Sequence, residues 1–120
     1  MSIKGVGVDL VRVARIEKSV RRWGDKFLDR VFTGDELEYC LSRRRRYEHL
    51  AGRFAAKEAV IKALGKKVSW KSVEILPGNH GVPEVDFPRE GIEGVSPEAK
   101  VNLSITHVEE LAAAFAVLSN

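Results

Sequence analysis

The chain has 120 residues, of which 44% are hydrophobic and 31% charged, and its net charge is +3. That composition belongs to a globular protein rather than a disordered one, and the length suits one domain, residues 1–120, and not two ordinary ones. No apolar run approaches the roughly 20 residues that span a bilayer, Met1-Ser2-Ile3-Lys4 lacks the apolar stretch of a secretion signal, and the lone Cys40 cannot pair internally, so the expected setting is the reducing cytoplasm.

Ile3 to Val8 is short and apolar with two glycines, which predicts a buried strand with Asp9 at its end. Leu10, Val13, Ile16, Val20, Trp23 and Phe27 then recur at three- and four-residue steps, the stripe of an amphipathic helix beginning at Leu10. Gly24-Asp25 is a candidate break. Thr33-Gly34-Asp35-Glu36 has the form of a capping box and predicts a new helix. A further helix is expected over about His49 to Leu64, with Gly65 placed as its left-handed cap. The second half predicts strands over Val68–Leu76, Gly81–Phe87, Lys100–Thr106 and Leu111–Leu118, with Pro77 to Gly81 as a hairpin connection. The expected class is α+β, one domain with helices packed on an antiparallel β-meander.

Glu58 falls in the helical series Leu50, Phe54, Glu58, Ile61, a carboxylate in an apolar stripe. Burying a carboxylate unpaired is costly, so it needs a cation or hydrogen bonds. An i,i+4 pair with Lys62 is the common arrangement; a metal-ligand or general-base role is the alternative. Asp9 is a helix N-cap when taken alone. Taken with Glu58, it offers the oxygen ligands that Mg²⁺ favours, with positions left for water and phosphate. Arg53, Lys57, Lys62, Lys66 and Lys67 crowd the same helix, as a phosphate-rich ligand requires or as a solvated face displays. Arg12, Arg15, Arg22, Lys26 and Arg30 form a basic edge on the first helix, provided that it continues past Gly24. That edge is either a docking surface for an acidic helix or plain solubilising charge. His107 ends the alternating strand as a structural hydrogen-bonder or a ligand contact. No His/Cys cluster, P-loop or nucleophile elbow occurs.

The blocks Gly5-Val6-Gly7-Val8-Asp9-Leu10, Arg15-Ile16 and Phe32-Thr33 with Glu36 stand in order before Leu50-Ala51-Gly52-Arg53-Phe54-Ala55-Ala56-Lys57-Glu58-Ala59 and Lys62-Ala63-Leu64-Gly65. Gly81-Val82-Pro83 and Ser104-Ile105-Thr106-His107 follow, then Ala112 to Ala114. This succession, over nearly the whole chain, resembles bacterial holo-[acyl-carrier-protein] synthase. The resemblance implies a Mg²⁺-dependent 4'-phosphopantetheinyl transferase of the short, homotrimeric type, with active sites between subunits. It would serve fatty acid biosynthesis by moving the phosphopantetheine of coenzyme A to a serine of acyl carrier protein, releasing adenosine 3',5'-bisphosphate.

By the same resemblance, Asp9 and Glu58 hold the metal, with Glu58 taking the serine proton directly or through water. Lys62 contacts the diphosphate, and Arg53, Gly65 and His107 line the coenzyme A pocket. Arg15, Arg22, Lys26 and Arg30 dock the carrier protein. The Arg43–Arg46 run and the loop from Pro88 to Pro97 depart from the pattern. The rival readings are a basic nucleic-acid-binding module, which leaves Asp9 and Glu58 unexplained, and a carrier-binding module without catalysis, which the presence of both carboxylates opposes.

Overall fold

Two glycines of the first strand let backbone meet backbone. A Cβ placed on Gly5 would lie 1.9 Å from the carbonyl oxygen of Ala63, and one on Gly7 would lie 1.9 Å from that of Ala59. The first strand, β1 (Ile3–Arg12), therefore rests backbone to backbone on a long helix, α4 (Arg46–Leu64). Such contact is open only to glycine. The computed structural model describes residues 2–120.

Between these elements run α1 (Val13–Trp23), α2 (Asp25–Val31) and α3 (Gly34–Leu41). After α4 come β2 (Glu74–Pro77), β3 (Pro83–Asp86), β4 (Lys100–His107) and β5 (Leu111–Ser119). Mixed helices and antiparallel strands confirm the α+β class. The main sheet has the order β1-β5-β4, so the first strand of the chain completes a sheet otherwise built at its far end. β2 and β3 form a separate hairpin, joined as expected through Pro77 to Gly81. One face of the main sheet is covered by α4, which crosses all three strands.

Several boundaries differ from expectation. β1 runs four residues beyond Val8, paired with β5 from Ile3↔Ser119 to Arg12↔Leu111. Asp9 is thus inside a strand and caps no helix. α1 starts at Val13, with Arg12 at its N-cap and no side-chain cap bond. Leu10 points away from α4 and is 64% exposed. A strand pattern, Gly7-Asp9-Val11 inward and Val8-Leu10 outward, wins over the helical spacing because β5 supplies hydrogen-bond partners that far. The predicted strand over Val68–Leu76 shrinks to β2, preceded by a 3₁₀ turn at Trp70–Ser72.

Local signals hold where they are strong. Gly24 breaks α1 from α2 at φ 54°, ψ −130°, which side-chain-bearing residues avoid. Thr33 and Glu36 form the reciprocal capping box. Gly65 closes α4 at φ 70°, donating to the carbonyls of Ile61 and Lys62.

An ion pair lies within the core. Lys57 and Glu36 are both fully buried, Nζ to Oε1 at 2.7 Å. Glu36 Oε1 also accepts from Thr33 N at 2.8 Å, and its Oε2 from Ile75 N at 2.7 Å. Lys57 also donates to the carbonyls of Trp70 (2.9 Å) and Val73 (2.5 Å). Burial pushes the Lys57 amine below its ordinary value, while the Glu36 charge opposes the shift. With its partners supplied, the pair binds α3, α4 and β2 to one another.

Candidate active site

α4 buries every residue from Ala51 to Val60 except Glu58. Glu58 stands half-open where the helix passes β1, and Lys62 follows one turn later on the same side. The Gly7 contact holds this stretch of helix against the inward face of β1, from which Asp9 projects. Lys62 Nζ donates to Asp9 Oδ1 at 3.3 Å and to the Val8 carbonyl at 2.9 Å. The expected Glu58–Lys62 pair does not occur among the described residues, because Lys62 turns to β1. Glu58 Oε1 instead accepts the indole N–H of Trp70 at 2.6 Å. The structure thus brings Asp9, Glu58 and Lys62 together.

Burial pushes the Asp9 carboxyl above its ordinary value; the Lys62 hydrogen bond opposes this, and the nearby Glu58 charge adds to it. A carboxylate whose ionisation is made costlier by a neighbouring one marks a place where a cation is stabilising. No group of three or more His, Cys, Asp or Glu side chains could hold a metal among the described residues. Asp9 and Glu58 supply oxygen donors, which suit a hard ion completed by water and phosphate oxygens.

A second constellation lies beyond β5, beside β4. There Arg53 and His107 line a cavity of about 190 Å³ with Tyr39, His49 and Pro83. His107 Nδ1 meets Glu48 Oε1 at 3.0 Å, and the ring of His49 packs edge-on to His107 at 5.0 Å between centroids. The Arg53 guanidinium lies over the Tyr39 ring at 4.4 Å. Arg53 Nε and His49 Nδ1 are buried without a hydrogen-bond partner among the described residues, as a site built for an anionic, hydrogen-bonding ligand presents them. Gly65 joins neither group through a side chain: it caps α4, roughly 18 Å along the helix from Arg53 at 1.5 Å per residue.

The basic edge divides at Gly24. Arg15 and Arg22 stay on α1, whereas Lys26 and Arg30 lie on α2. They do not form one continuous stripe. Lys26 and Arg30 instead flank a groove of about 410 Å³ floored by Trp23, Phe27 and Trp70. The Arg15 guanidinium lies over Phe54 and that of Arg30 over Trp70, 5.8 and 5.9 Å from the ring centres.

The pattern of the 4'-phosphopantetheinyl transferase superfamily matches residues 5–116. The chain belongs to that superfamily. A holo-[acyl-carrier-protein] synthase of Protochlamydia amoebophila (strain UWE25) is 43% identical over 120 residues, covering 97% of this chain and 98% of that protein. The holo-(acyl-carrier-protein) synthase of Bacillus anthracis str. Ames, solved in complex with CoA (3',5'-ADP), superposes with a TM-score of 0.80 at 37% identity. That match covers 97% of this chain and 96% of the other. The holo-[acyl-carrier-protein] synthase of Neisseria meningitidis gives a TM-score of 0.86 at 30% identity, covering 99% of this chain and 100% of that one.

In this phosphopantetheinyl transferase, part of the helical charge read from sequence is internal. Lys57 faces the core, and Lys66 is tied to the Gly91 carbonyl at 2.8 Å. Trp70, Glu48 and Tyr39 carry no mark in the sequence, and His49 shows no pairing pattern there. Trp70 sits in a segment read as strand, so its contact with α4 has no periodic signal. Glu48 and His49 lie at the N-terminal end of the Leu50 to Gly65 block, one turn before Gly52. There a helical spacing count would have placed them on the side facing β4.

Proposed function

We propose that this phosphopantetheinyl transferase moves the 4'-phosphopantetheine group of coenzyme A to a serine of apo acyl carrier protein. The observation that carries the reading is the meeting of Asp9, Glu58 and Lys62 across the β1–α4 contact. The names of the relatives and the coenzyme A complex of the Bacillus anthracis protein support it.

Asp9 and Glu58 would hold Mg²⁺, which supplies charge neutralisation to a diphosphate and makes its phosphorus more open to attack. Glu58 takes the proton of the attacking serine. The serine oxygen bonds to the phosphorus carrying pantetheine, and the anhydride bond to the nucleotide breaks. Adenosine 3',5'-bisphosphate leaves, its new charge met by Lys62. Arg53 and His107 bind the coenzyme A anion, with Gly65 admitting its close approach at the end of α4.

One chain separates these roles, since β5 lies between the Asp9 side and the Arg53–His107 side. The remedy is a neighbouring copy. Val6, Val8 and Leu10 on β1 and Phe115, opposite Val8 on β5, make an apolar sheet face turned away from α4, each residue 48–64% exposed. A domain of this size gains from covering such a face. The assembly we propose is a homotrimer that sets Arg53 and His107 of one copy against Asp9, Glu58 and Lys62 of the next. Lys26 and Arg30, flanking the Trp23–Phe27 groove, with Arg15 and Arg22 on α1, suit the acidic recognition helix of a carrier protein. All 120 residues then act as one transferase domain, serving fatty acid biosynthesis in the cytoplasm.

The test is intact-mass analysis of apo acyl carrier protein after incubation with this protein, coenzyme A and Mg²⁺. A gain of one phosphopantetheine group, abolished by EDTA, is expected. A folded sample that modifies no carrier protein overturns the activity, and a monomer in analytical ultracentrifugation overturns the assembly.

A further inference from the structure

Trp70 is held from three directions at once. Its backbone carbonyl accepts from the buried Lys57 amine at 2.9 Å. Its ring packs on Phe54, 5.9 Å between centroids, and Arg30 lies over it at 5.9 Å. Its indole N–H points at Glu58 Oε1, 2.6 Å away. An indole nitrogen can only donate, and a donor at that distance from an ionised carboxylate makes a charge-assisted bond. Glu58 Oε2 accepts no hydrogen bond among the described residues. Oε1 therefore has one acceptor position taken and a fixed direction, whereas Oε2 has both positions free.

We infer that Trp70 is a positioning residue that makes Glu58 a one-oxygen ligand, so that the site favours small, octahedral Mg²⁺ over larger Ca²⁺. Ca²⁺ takes more oxygens and accepts both oxygens of a carboxylate, whereas Mg²⁺ demands near-ideal geometry with single oxygens. Trp70, whose backbone carbonyl is held by the buried Lys57, takes one lone pair of Oε1 and turns that oxygen toward the indole, which disfavours the two-oxygen mode. It also fixes the direction of Oε2. The inference rests on the reading of Glu58 as a cation-binding carboxylate.

Trp70→Phe keeps an aromatic ring against Phe54 and removes the N–H together with part of the indole ring system. Outer partners of metal-bound groups typically govern affinity by about 10- to 100-fold, so the Mg²⁺ half-saturation of this variant should rise at least about tenfold while KM for coenzyme A stays within about twofold. Calorimetric titration of the coenzyme A complex with MgCl₂ and with CaCl₂ should show the preference for Mg²⁺ narrowing. A readout independent of turnover comes from the indole N–H signals of the two tryptophans in ¹⁵N-labelled protein. The Trp70 signal should lie downfield of that of exposed Trp23, and should move in Glu58→Gln.

A folded Trp70→Phe with unchanged Mg²⁺ half-saturation and unchanged ion preference overturns the inference. So does a Trp70 signal coincident with that of Trp23, which decides the matter even where the variant fails to fold. Full activity in Glu58→Ala would overturn the parent reading instead, and an inactive Glu58→Ala beside a normal Trp70→Phe would remove the positioning role alone.

Discussion

Glu36 and Glu58 are carboxylates that both meet a neighbour of Trp70 or Trp70 itself, yet their surroundings could hardly differ more. Glu36 is sealed in the core with both oxygens engaged, by Lys57, Thr33 N and Ile75 N. Glu58 is half-open and engages one oxygen, with Asp9 nearby as a second negative charge. The two lysines of α4 repeat the contrast. Lys57 is fully buried, and the side chain of Lys62 is 53% exposed and bonded to the edge of the cluster. A saturated polar group holds the fold, whereas an unsaturated one beside like charge is available to a ligand.

The contrast breaks first at Glu58. Glu58→Ala should lower carrier-protein modification by roughly 10²- to 10⁴-fold, the range of a general base, with little change in the denaturant midpoint. Equal loss of stability and turnover would show Glu58 to be structural after all. At Lys57 the pattern inverts. Lys57→Met leaves Glu36 buried without its cation and should cost about 3–5 kcal/mol in urea unfolding. Gly7→Ala tests what brings Asp9 to Glu58. Its Cβ would overlap the Ala59 carbonyl, so a loss of about 1–3 kcal/mol is expected, together with weakened Mg²⁺ activation as β1 lifts from α4.

The smallest effect lies at the second constellation. Burial first, then the charges of His107, Arg53 and Arg43, hold His49 below its ordinary value, with Glu48 opposing. As pH falls below about 6.5 the unfolded chain takes up a proton at this position that the folded one resists, so stability declines with acidification. His49→Phe should flatten that decline in thermal melts at pH 7 and pH 5. A variant that leaves the slope unchanged places the acid sensitivity elsewhere.

Signals carried by a few adjacent residues were legible in the sequence. The capping box at Thr33 and Glu36, the breaks at Gly24 and Gly65, and the alternation of Val101, Leu103 and Ile105 each predict what forms. The extent of β1 was not legible, since Leu10 reads as an apolar helix position until β5 is known to lie beside it. The same limit applies to the site. Asp9 and Glu58 stand 49 residues apart in sequence, and only the glycine contacts of β1 with α4 place them together. Resemblance picked out both, but spacing gave no sign that Lys62 would turn from Glu58 to Asp9. Trp70 was hidden for another reason: its 3₁₀ turn has no period, and its task depends on a single indole hydrogen.

The placement of β5 between the two constellations has a genetic consequence. In the proposed trimer, a lesion at Glu58 and a lesion at Arg53 would damage different halves of one shared site. Two such alleles, each inactive alone, should complement when expressed together, because a mixed assembly can bring an intact Glu58 from one product to an intact Arg53 from the other.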